Sequence, residues 1–112
     1  MIVVMFESWP REGRKQAYID MAASLTGHLQ QMDGFLEIER FQSLTEPGKL
    51  IAISYWRDES AVTRWRQHEA HRLVQDKSRE SIFKDYRLRV AAVIRDYGMH
   101  DRRQAPADRR PS

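Results

Sequence analysis

The stretch FLEIERFQSLTEPGKLIAISYWR, residues 35–57, predicts two neighbouring strands joined by a turn. In its first part Leu36 and Ile38 alternate with glutamates, which is the period of a strand with one apolar side. Residues 45–49, TEPGK, contain the Pro-Gly punctuation that is typical of turns. Residues 50–57, LIAISYWR, are a second apolar run with the composition of a strand. The stretch therefore predicts a hairpin in the middle of the chain.

A strand and a helix lie on each side of this hairpin. Residues 1–9, MIVVMFESW, form an apolar, β-branched run that ends at Pro10 and predicts a strand. Apolar residues spaced by three, four and seven predict an amphipathic helix over residues 12–32, and a second helix is predicted over residues 58–77. Residues 85–97 predict the fourth and longest strand. This order indicates an α+β fold of the ferredoxin-like βαββαβ type, with a four-stranded antiparallel sheet that carries both helices on one face.

Length and composition fit a single small domain. The chain has 112 residues, which we divide into a folded domain at 1–98 and a polar, arginine-rich tail at 99–112 that we expect to be flexible. The absence of cysteine excludes disulfides and thiolate catalysis. No leader peptide and no membrane-spanning stretch is visible, so we expect a cytoplasmic protein that does not bind membranes.

The basic charge is concentrated at the end of the chain. Residues 101–112 hold four arginines and two aspartates, so they supply two of the three net positive charges. The rest of the chain is close to neutral, and we therefore do not expect a nucleic-acid partner.

The predicted sheet has a second apolar side. Ile51, Ile53 and Tyr55 alternate with the apolar set on the other side of their strand, and Val3 and Met5 do the same in the first strand. Two helices can cover only one face of such a sheet. An exposed apolar face usually marks an interface, so we expect a homodimer in which one sheet packs against the other.

The second helix contains SAVTRWRQHEAHRLVQ, residues 60–75, where apolar, acidic and histidine side chains alternate. At 100° per residue Trp65 lies in the core-facing stripe, with Glu69 inside that stripe and with His68 and Arg72 at its edge. His71 lies further round. Two interpretations remain open: Glu69 and Arg72 form an ion pair at the rim of the core, or Glu69, His68 and Arg72 line a cleft between helix and sheet.

The histidines do not predict a metal site. His68 and His71 are three residues apart, and no further ligand cluster accompanies them, so we expect no bound metal. Trp65 is either a core residue or the flat side of a pocket for a small aromatic ligand. Such a pocket would be completed by the aromatic side chains that we select as further binding residues: Phe6, Tyr18, Phe41, Tyr55 and Phe83.

Three stretches resemble a known family: GFLEIERFQS at 34–43, ISYWRDESAVTRWR at 53–66 and FKDYRLRVAAVIRDYG at 83–98. With them the chain is similar to the antibiotic biosynthesis monooxygenase domain family over about residues 1–98. The resemblance implies a dimeric α/β barrel of ferredoxin-like domains, each with a cleft between sheet and helices. It also implies a cofactor-independent monooxygenase that oxidises a phenolic, quinol or polyketide-like aromatic compound with dioxygen.

The resemblance also assigns residues. Trp65 matches the tryptophan of the family's second helix, and EAHR at 69–72 brings His71 into the pattern, whereas helical geometry favours His68. Arg89, with Arg87 as the alternative register, is our candidate for the fourth-strand arginine that stabilises a developing anion.

Two other functions remain open at this point. The haem-degrading branch of the family uses an asparagine on the first strand and a histidine about ten residues after the tryptophan. This chain has no asparagine in that strand and has Gln75 ten residues after Trp65, so we expect no haem and no other cofactor. The alternative outside enzymology is a non-catalytic dimeric binding or accessory domain.

Overall fold

The computed structural model describes the backbone of residues 1–75 and 82–107 and the side chains within residues 1–69 and 82–107. Along the chain the elements are β1 (Ile2–Pro10), α1 (Lys15–Leu29), β2 (Phe35–Gln42), β3 (Leu50–Trp56), α2 (Glu59–Gln75) and β4 (Phe83–Ala92). The sheet order is β2-β3-β1-β4, and every neighbouring pair is antiparallel. The predicted ferredoxin-like βαββαβ fold is therefore confirmed.

Strand β4 is placed earlier than the sequence predicts. It runs from Phe83 to Ala92 instead of over residues 85–97. Its pairing with β1 reaches Ile2, where β1 begins, and one further hydrogen bond joins the Val93 amide to the Met1 carbonyl at 2.9 Å. The stretch after Ala92 is as apolar as the strand itself, so the end of β4 is decided by its partner strand and not by its own composition.

The alternation of the strands divides the sheet into two faces. We call the side packed against α1 and α2 the helix face and the opposite side the outer face. On β3 the helix-face residues from Leu50 to Trp56 are buried, while Ile51, Ile53 and Tyr55 on the outer face are half-buried. On β1, Val3 and Met5 extend the same outer-face patch, because they pair with Tyr55 and Ile53.

Two clusters of apolar side chains join the helices to the helix face. The first consists of Tyr18, Ala22, Leu50 and Ile82, with Phe6, Ala17, Met21 and Phe83 packed around it. The second consists of Leu29, Trp56, Ala61 and Val62, with Ile2, Val4, Met32, Phe35, Ile38 and Trp65 packed around it. Each cluster takes residues from both a helix and the sheet, so neither helix could keep its position without the strands beneath it.

The turn between α1 and β2 is tightly packed against α2. Gly34 has a φ of +88°, a conformation that glycine adopts without steric cost. Its carbonyl accepts a hydrogen bond from the Arg57 amide at 2.8 Å, which ties the turn to the end of β3.

Among the described residues, neither helix combines the length and the apolar composition that a membrane crossing requires.

Candidate functional site

The start of α2 is fixed by a group of charged residues at the end of β3. The Ala61 amide donates to Asp58 Oδ1 at 2.9 Å, which satisfies one of the free amides in the first turn of the helix. This hydrogen bond, followed by that from Arg57, holds the pKa of Asp58 below its usual range. Arg57 also binds both oxygens of Asp33, at 3.1 and 3.0 Å, and lowers the pKa of that carboxyl. Ionised side chains therefore surround the point where α2 leaves the sheet, and one of them caps the helix.

A line of neighbouring rings, each tilted against the next, leads from the core to the surface of α2. The ring centroids of Trp56 and Trp65 are 6.4 Å apart, those of Trp65 and His68 are 5.6 Å apart, and those of His68 and His28 are 5.8 Å apart. Trp56 is buried, with its indole N–H donating to Ser54 Oγ at 2.9 Å. Trp65 is half-buried and His68 is exposed. His68 thus presents an imidazole to solvent directly beside the Trp65 ring, and His28 of α1 is the last ring of the line.

Four further rings form a second group on the helix face. The Phe6 centroid is 5.6 Å from that of Phe83 and 5.5 Å from that of Tyr86, and the Tyr18 centroid is 5.8 Å from that of Phe83. Three of these residues were selected from the sequence as pocket aromatics. Tyr86 was missed, although the alternation of DYRLR places it on the same side of its strand as Leu88 and Val90.

The helix face remains open over β4. Tyr86, Leu88 and Val90 are 60%, 50% and 41% exposed, although they share a face with the buried residues of β3. Leu88 pairs with Phe6, and Val90 pairs with Val4, which packs in the same cluster as Trp65. We call these three exposed residues together with Phe6 and Phe83 the apolar floor. A flat ligand on this floor would lie on the same side of the sheet as Trp65 and His68.

Other residues selected from the sequence lie elsewhere. Tyr55, Phe41 and Arg89 alternate onto the outer face, where Arg89 pairs with Met5 across the strands. Arg89 forms an ion pair with Glu7, and Lys49 contacts the same carboxylate at 2.8 Å. These contacts, that of Lys49 first, hold the pKa of Glu7 below its usual value. The sheet therefore separates Arg89 from Trp65.

Three further residues selected from the sequence, Glu69, His71 and Arg72, belong to α2. Glu69 is half-buried and follows His68 directly in the helix. The side chains of His71 and Arg72 lie outside the described residues. Within the described part of the chain, no group of three or more histidine, cysteine or acidic side chains is placed to hold a metal ion.

A groove of about 390 Å³ lies between α1 and the edge strand β2. Sequence reasoning did not find it, because its two sides are far apart along the chain. It is lined by Lys15, Tyr18, Ile19, Ala22, Ala23, Arg40, Phe41, Gln42 and Leu50.

Comparison with known proteins assigns the chain to a family. The family model for antibiotic biosynthesis monooxygenases matches residues 1–77, which include β1, both helices and Trp65. The chain belongs to the antibiotic biosynthesis monooxygenase family. The family match ends before β4, so the residues of the apolar floor on that strand are known from the structure alone.

Two curated proteins are similar to this chain in sequence. The chain is 40% identical over 93 residues to a protein of Pyricularia oryzae named jasmonate monooxygenase ABM, with 83% of this chain and 43% of that protein covered. It is 30% identical over 92 residues to the uncharacterized protein YqjZ of Bacillus subtilis, with 82% of this chain and 78% of that protein covered. The chain thus spans less than half the length of the jasmonate monooxygenase.

Solved structures share the architecture. Rv0793 from Mycobacterium tuberculosis matches with a TM-score of 0.72 at 16% identity, covering 87% of this chain and 98% of that one. SO0527 from Shewanella oneidensis matches with a TM-score of 0.70 at 19% identity, covering 80% and 87%. At these identities the likeness concerns the fold alone.

Proposed function

We propose that this protein is a small monooxygenase that oxidises a phenolic, quinol or polyketide-like aromatic compound with dioxygen and needs no bound cofactor. The observation that carries the proposal is the open apolar floor on the same side of the sheet as the Trp65–His68 pair. A site for an aromatic substrate needs an apolar surface and few polar groups, and both are present there. Family membership and the name of the Pyricularia relative support oxygenase chemistry.

In this chemistry the substrate itself reduces dioxygen. The substrate gains one oxygen atom and loses two hydrogens, so that it ends at the oxidation level of a ketone or quinone, and the other oxygen atom leaves as water. The protein must bind the aromatic ring, remove a proton to make the ring more electron-rich, and keep the site dry. We assign ring binding to Trp65 and the floor, and proton removal to His68, because imidazole exchanges protons near neutral pH.

The test is oxygen uptake with a panel that contains a hydroquinone, an anthrone and jasmonic acid. Jasmonic acid is included in the panel because the Pyricularia relative is named jasmonate monooxygenase. We expect turnover of the hydroquinone or the anthrone, a loss of about tenfold or more in kcat/KM for Trp65→Ala, and a comparable loss for His68→Gln. Trp9→Ala and His100→Gln remove the same side chains elsewhere and should retain activity. Equal activity in Trp65→Ala and wild type would contradict the proposal.

A non-catalytic binding domain is the second candidate. It is favoured by the position of Arg89, because the described residues place no arginine of β4 on the side of Trp65. Saturable binding of the same aromatic compounds without any oxygen uptake would support this candidate.

Haem is the remaining cofactor candidate, and the residues present do not fit it. The helix-face residues of β1 are Ile2, Val4, Phe6 and Ser8, none of which is the asparagine used by the haem-degrading branch. We expect no Soret shift when the protein is mixed with haemin.

We further propose that two copies associate through the outer face. The half-buried patch there, Val3, Met5, Ile51, Ile53 and Tyr55, supports this. The charges at its borders give the orientation: Glu37 and Glu39 lie on β2 at one edge of the face, and Arg87 and Arg89 lie on β4 at the other. A two-fold axis parallel to the strands places β2 of one copy over β4 of the other, so opposite charges meet.

The mass in solution tests the dimer. We expect light scattering to give twice the chain mass for wild type and the chain mass for Ile53→Asp, because the new carboxylate would be buried in the interface without a partner. Leu44→Asp, at a position 99% exposed in the loop before β3, is the matched control and should remain dimeric. A monomeric wild type at micromolar concentration would overturn this part of the proposal.

A further inference from the structure

The groove between α1 and β2 combines an apolar lining with two positive charges. Its apolar part comes from Tyr18, Ile19, Ala22 and Leu50, and its charged groups are Lys15 and Arg40. None of the nine lining residues is acidic. The electrostatic potential in the groove therefore favours an anion, whereas the lining favours a hydrocarbon.

The guanidinium of Arg40 is held over the groove by a neutral partner. Its Nη1 donates to Thr26 Oγ1 at 3.0 Å, and the Thr26 hydroxyl donates in turn to the Ala22 carbonyl at 3.0 Å. Arg40 is half-buried, and among the described side chains no carboxylate pairs with it. A guanidinium has five N–H donors, so most of them remain for a ligand. A half-buried cation without an anionic partner is a favourable place for a carboxylate.

The ammonium of Lys15 is positioned in a similar way. Its Nζ donates to Gln42 Oε1 at 3.4 Å. The Gln42 amide is itself fixed, because its Nε2 donates to the carbonyls of Pro47 at 2.7 Å and Lys49 at 3.0 Å. Lys15 and Thr26 are eleven residues apart on α1, which corresponds to about 16 Å along a helix. A cation therefore stands towards each end of the groove.

The bottom of the groove is open because the helix carries small residues there. Ala22 and Ala23 face β2 at the positions where longer side chains would close the space. Leu50 of β3 lies below them and is buried, so the bottom is apolar and fixed. The volume of about 390 Å³ lies within the range of small-molecule sites, roughly 300–1,000 Å³.

We propose that this groove is a second binding site, which takes a small organic carboxylate with an apolar body. The carboxylate accepts hydrogen bonds from the Arg40 guanidinium. The hydrocarbon part lies along Ile19, Ala23 and Phe41, the apolar lining residues that are exposed. The groove lies at the β2 edge of the sheet, whereas the apolar floor lies over β4 at the opposite edge. Tyr18 lies between them, since it lines the groove and its ring is 5.8 Å from that of Phe83. Binding in the groove does not depend on oxygenase activity.

Octanoate is the probe, and isothermal titration with the full chain is the assay. Octan-1-ol supplies the tail without the charge, and acetate supplies the charge without the tail. We expect saturable octanoate binding. Octan-1-ol should bind at least about tenfold more weakly, since hydrogen bonds to charged groups are worth about that factor. Acetate should lose at least as much, because it lacks the methylenes that bury apolar surface.

Variants separate the groove from other surfaces. Arg40→Gln removes the charge, and Ala23→Leu fills the groove from an exposed helix position without changing charge; each should weaken octanoate binding about tenfold. Lys84→Gln removes an exposed cation on β4 and should bind as wild type does. Circular dichroism checks that each variant is folded, and Arg40→Lys should restore part of the affinity lost in Arg40→Gln.

Amide chemical shifts locate the ligand. Titration with octanoate should perturb Tyr18, Ala23 and Gln42 and leave Leu88 and Val90 of the apolar floor unchanged. No saturable octanoate binding, equal affinity in Arg40→Gln and wild type, or perturbations centred on the apolar floor would each overturn the proposal. Octanoate binding in the groove together with no oxygen uptake on any compound would support this proposal and contradict only the monooxygenase.

Discussion

Replacing Gly34 with alanine should destabilise the protein by two separate effects. The first is conformational: Gly34 has a φ of +88°, which costs a residue with a Cβ about 1–2 kcal/mol. The second is steric, because an ideal Cβ at position 34 would lie 2.6 Å from the Cβ of Ala61. Unstrained carbon contacts are about 3.5–4.0 Å, and Ala61 is fully buried and belongs to the second core cluster.

Together the two effects should remove a large fraction of the free energy of unfolding of a small domain. Forcing an extra carbon into a packed site costs about 1–3 kcal/mol. Alanine also reduces the freedom of the unfolded chain, which returns about 0.4–1 kcal/mol. We therefore expect Gly34→Ala to lower the free energy of unfolding by about 2–4 kcal/mol, out of a total of about 5–15 kcal/mol.

Two other glycines provide controls for the separate effects. Gly13 has a φ of +76° and no atom within 4 Å of an added Cβ, so Gly13→Ala tests the conformational cost alone. Gly27 lies inside α1 with a negative φ and open space around it, so Gly27→Ala should stabilise the helix by about 0.5–1 kcal/mol. The expected order of stability is Gly27→Ala, wild type, Gly13→Ala, Gly34→Ala.

Urea denaturation followed by circular dichroism measures these differences, with thermal melting as a second readout. The midpoint of thermal melting should be roughly 8 °C or more lower for Gly34→Ala than for wild type. Adding Ala61→Gly to Gly34→Ala should restore part of the lost stability, because the second substitution removes the Ala61 Cβ that the new Cβ would overlap. If Gly34→Ala is no less stable than Gly13→Ala, the close contact between this turn and α2 does not exist and the packing argument is refuted.

Two further predictions concern buried and charged groups of the sheet. Ser54→Ala removes the acceptor of the buried Trp56 indole N–H and should lower the free energy of unfolding, measured by urea denaturation, by about 1–3 kcal/mol. Ser8→Ala is the comparison, because Ser8 Oγ is buried and has no hydrogen-bond partner among the described residues. Its free energy of unfolding should be within about 0.5 kcal/mol of the wild-type value or higher. Glu7→Gln should be less stable than wild type above about pH 5, and the difference in stability should shrink as the pH falls through and below 4.5. The reason is that folding lowers the pKa of the Glu7 carboxyl, so this group stabilises the folded state only while it is ionised. A stability difference that stays constant between neutral and strongly acidic pH would contradict the assigned ion pairs of Glu7.

The period of each segment was sufficient to predict the fold. Alternation in residues 35–57 predicts the central hairpin, and spacings of three and four predict the two helices that flank it. These are local properties of the chain, because a strand repeats every two residues and a helix every 3.6 whatever they pack against. The end of β4 was predicted wrongly for the same reason: residues 93–97 have the composition of a strand, but the pairing with β1 stops at Ile2.

The candidate site was predicted only in part. The sequence selected Trp65 and His68, and the structure places their rings side by side with Trp56 and His28. The open surface over β4 could not be read from the chain, because Leu88 and Val90 have the same composition as core residues. Their exposure depends on how far the helices extend across the sheet.

What the sequence determined by itself is which residues share a face, except in β2, where a register shift between Phe35 and Glu37 places Phe35 instead of Leu36 on the side of Ile38. Which face the helices cover was decided by the tertiary structure. Period two groups Phe6 with Val4, and Tyr55 with Ile53, but it does not say which group meets the helices. Packing placed Phe6 beside Phe83 on the helix face and moved Tyr55 and Arg89 to the outer face. The groove of Lys15 and Arg40 has the same origin, because residues twenty-five positions apart come together only when α1 lies across β2.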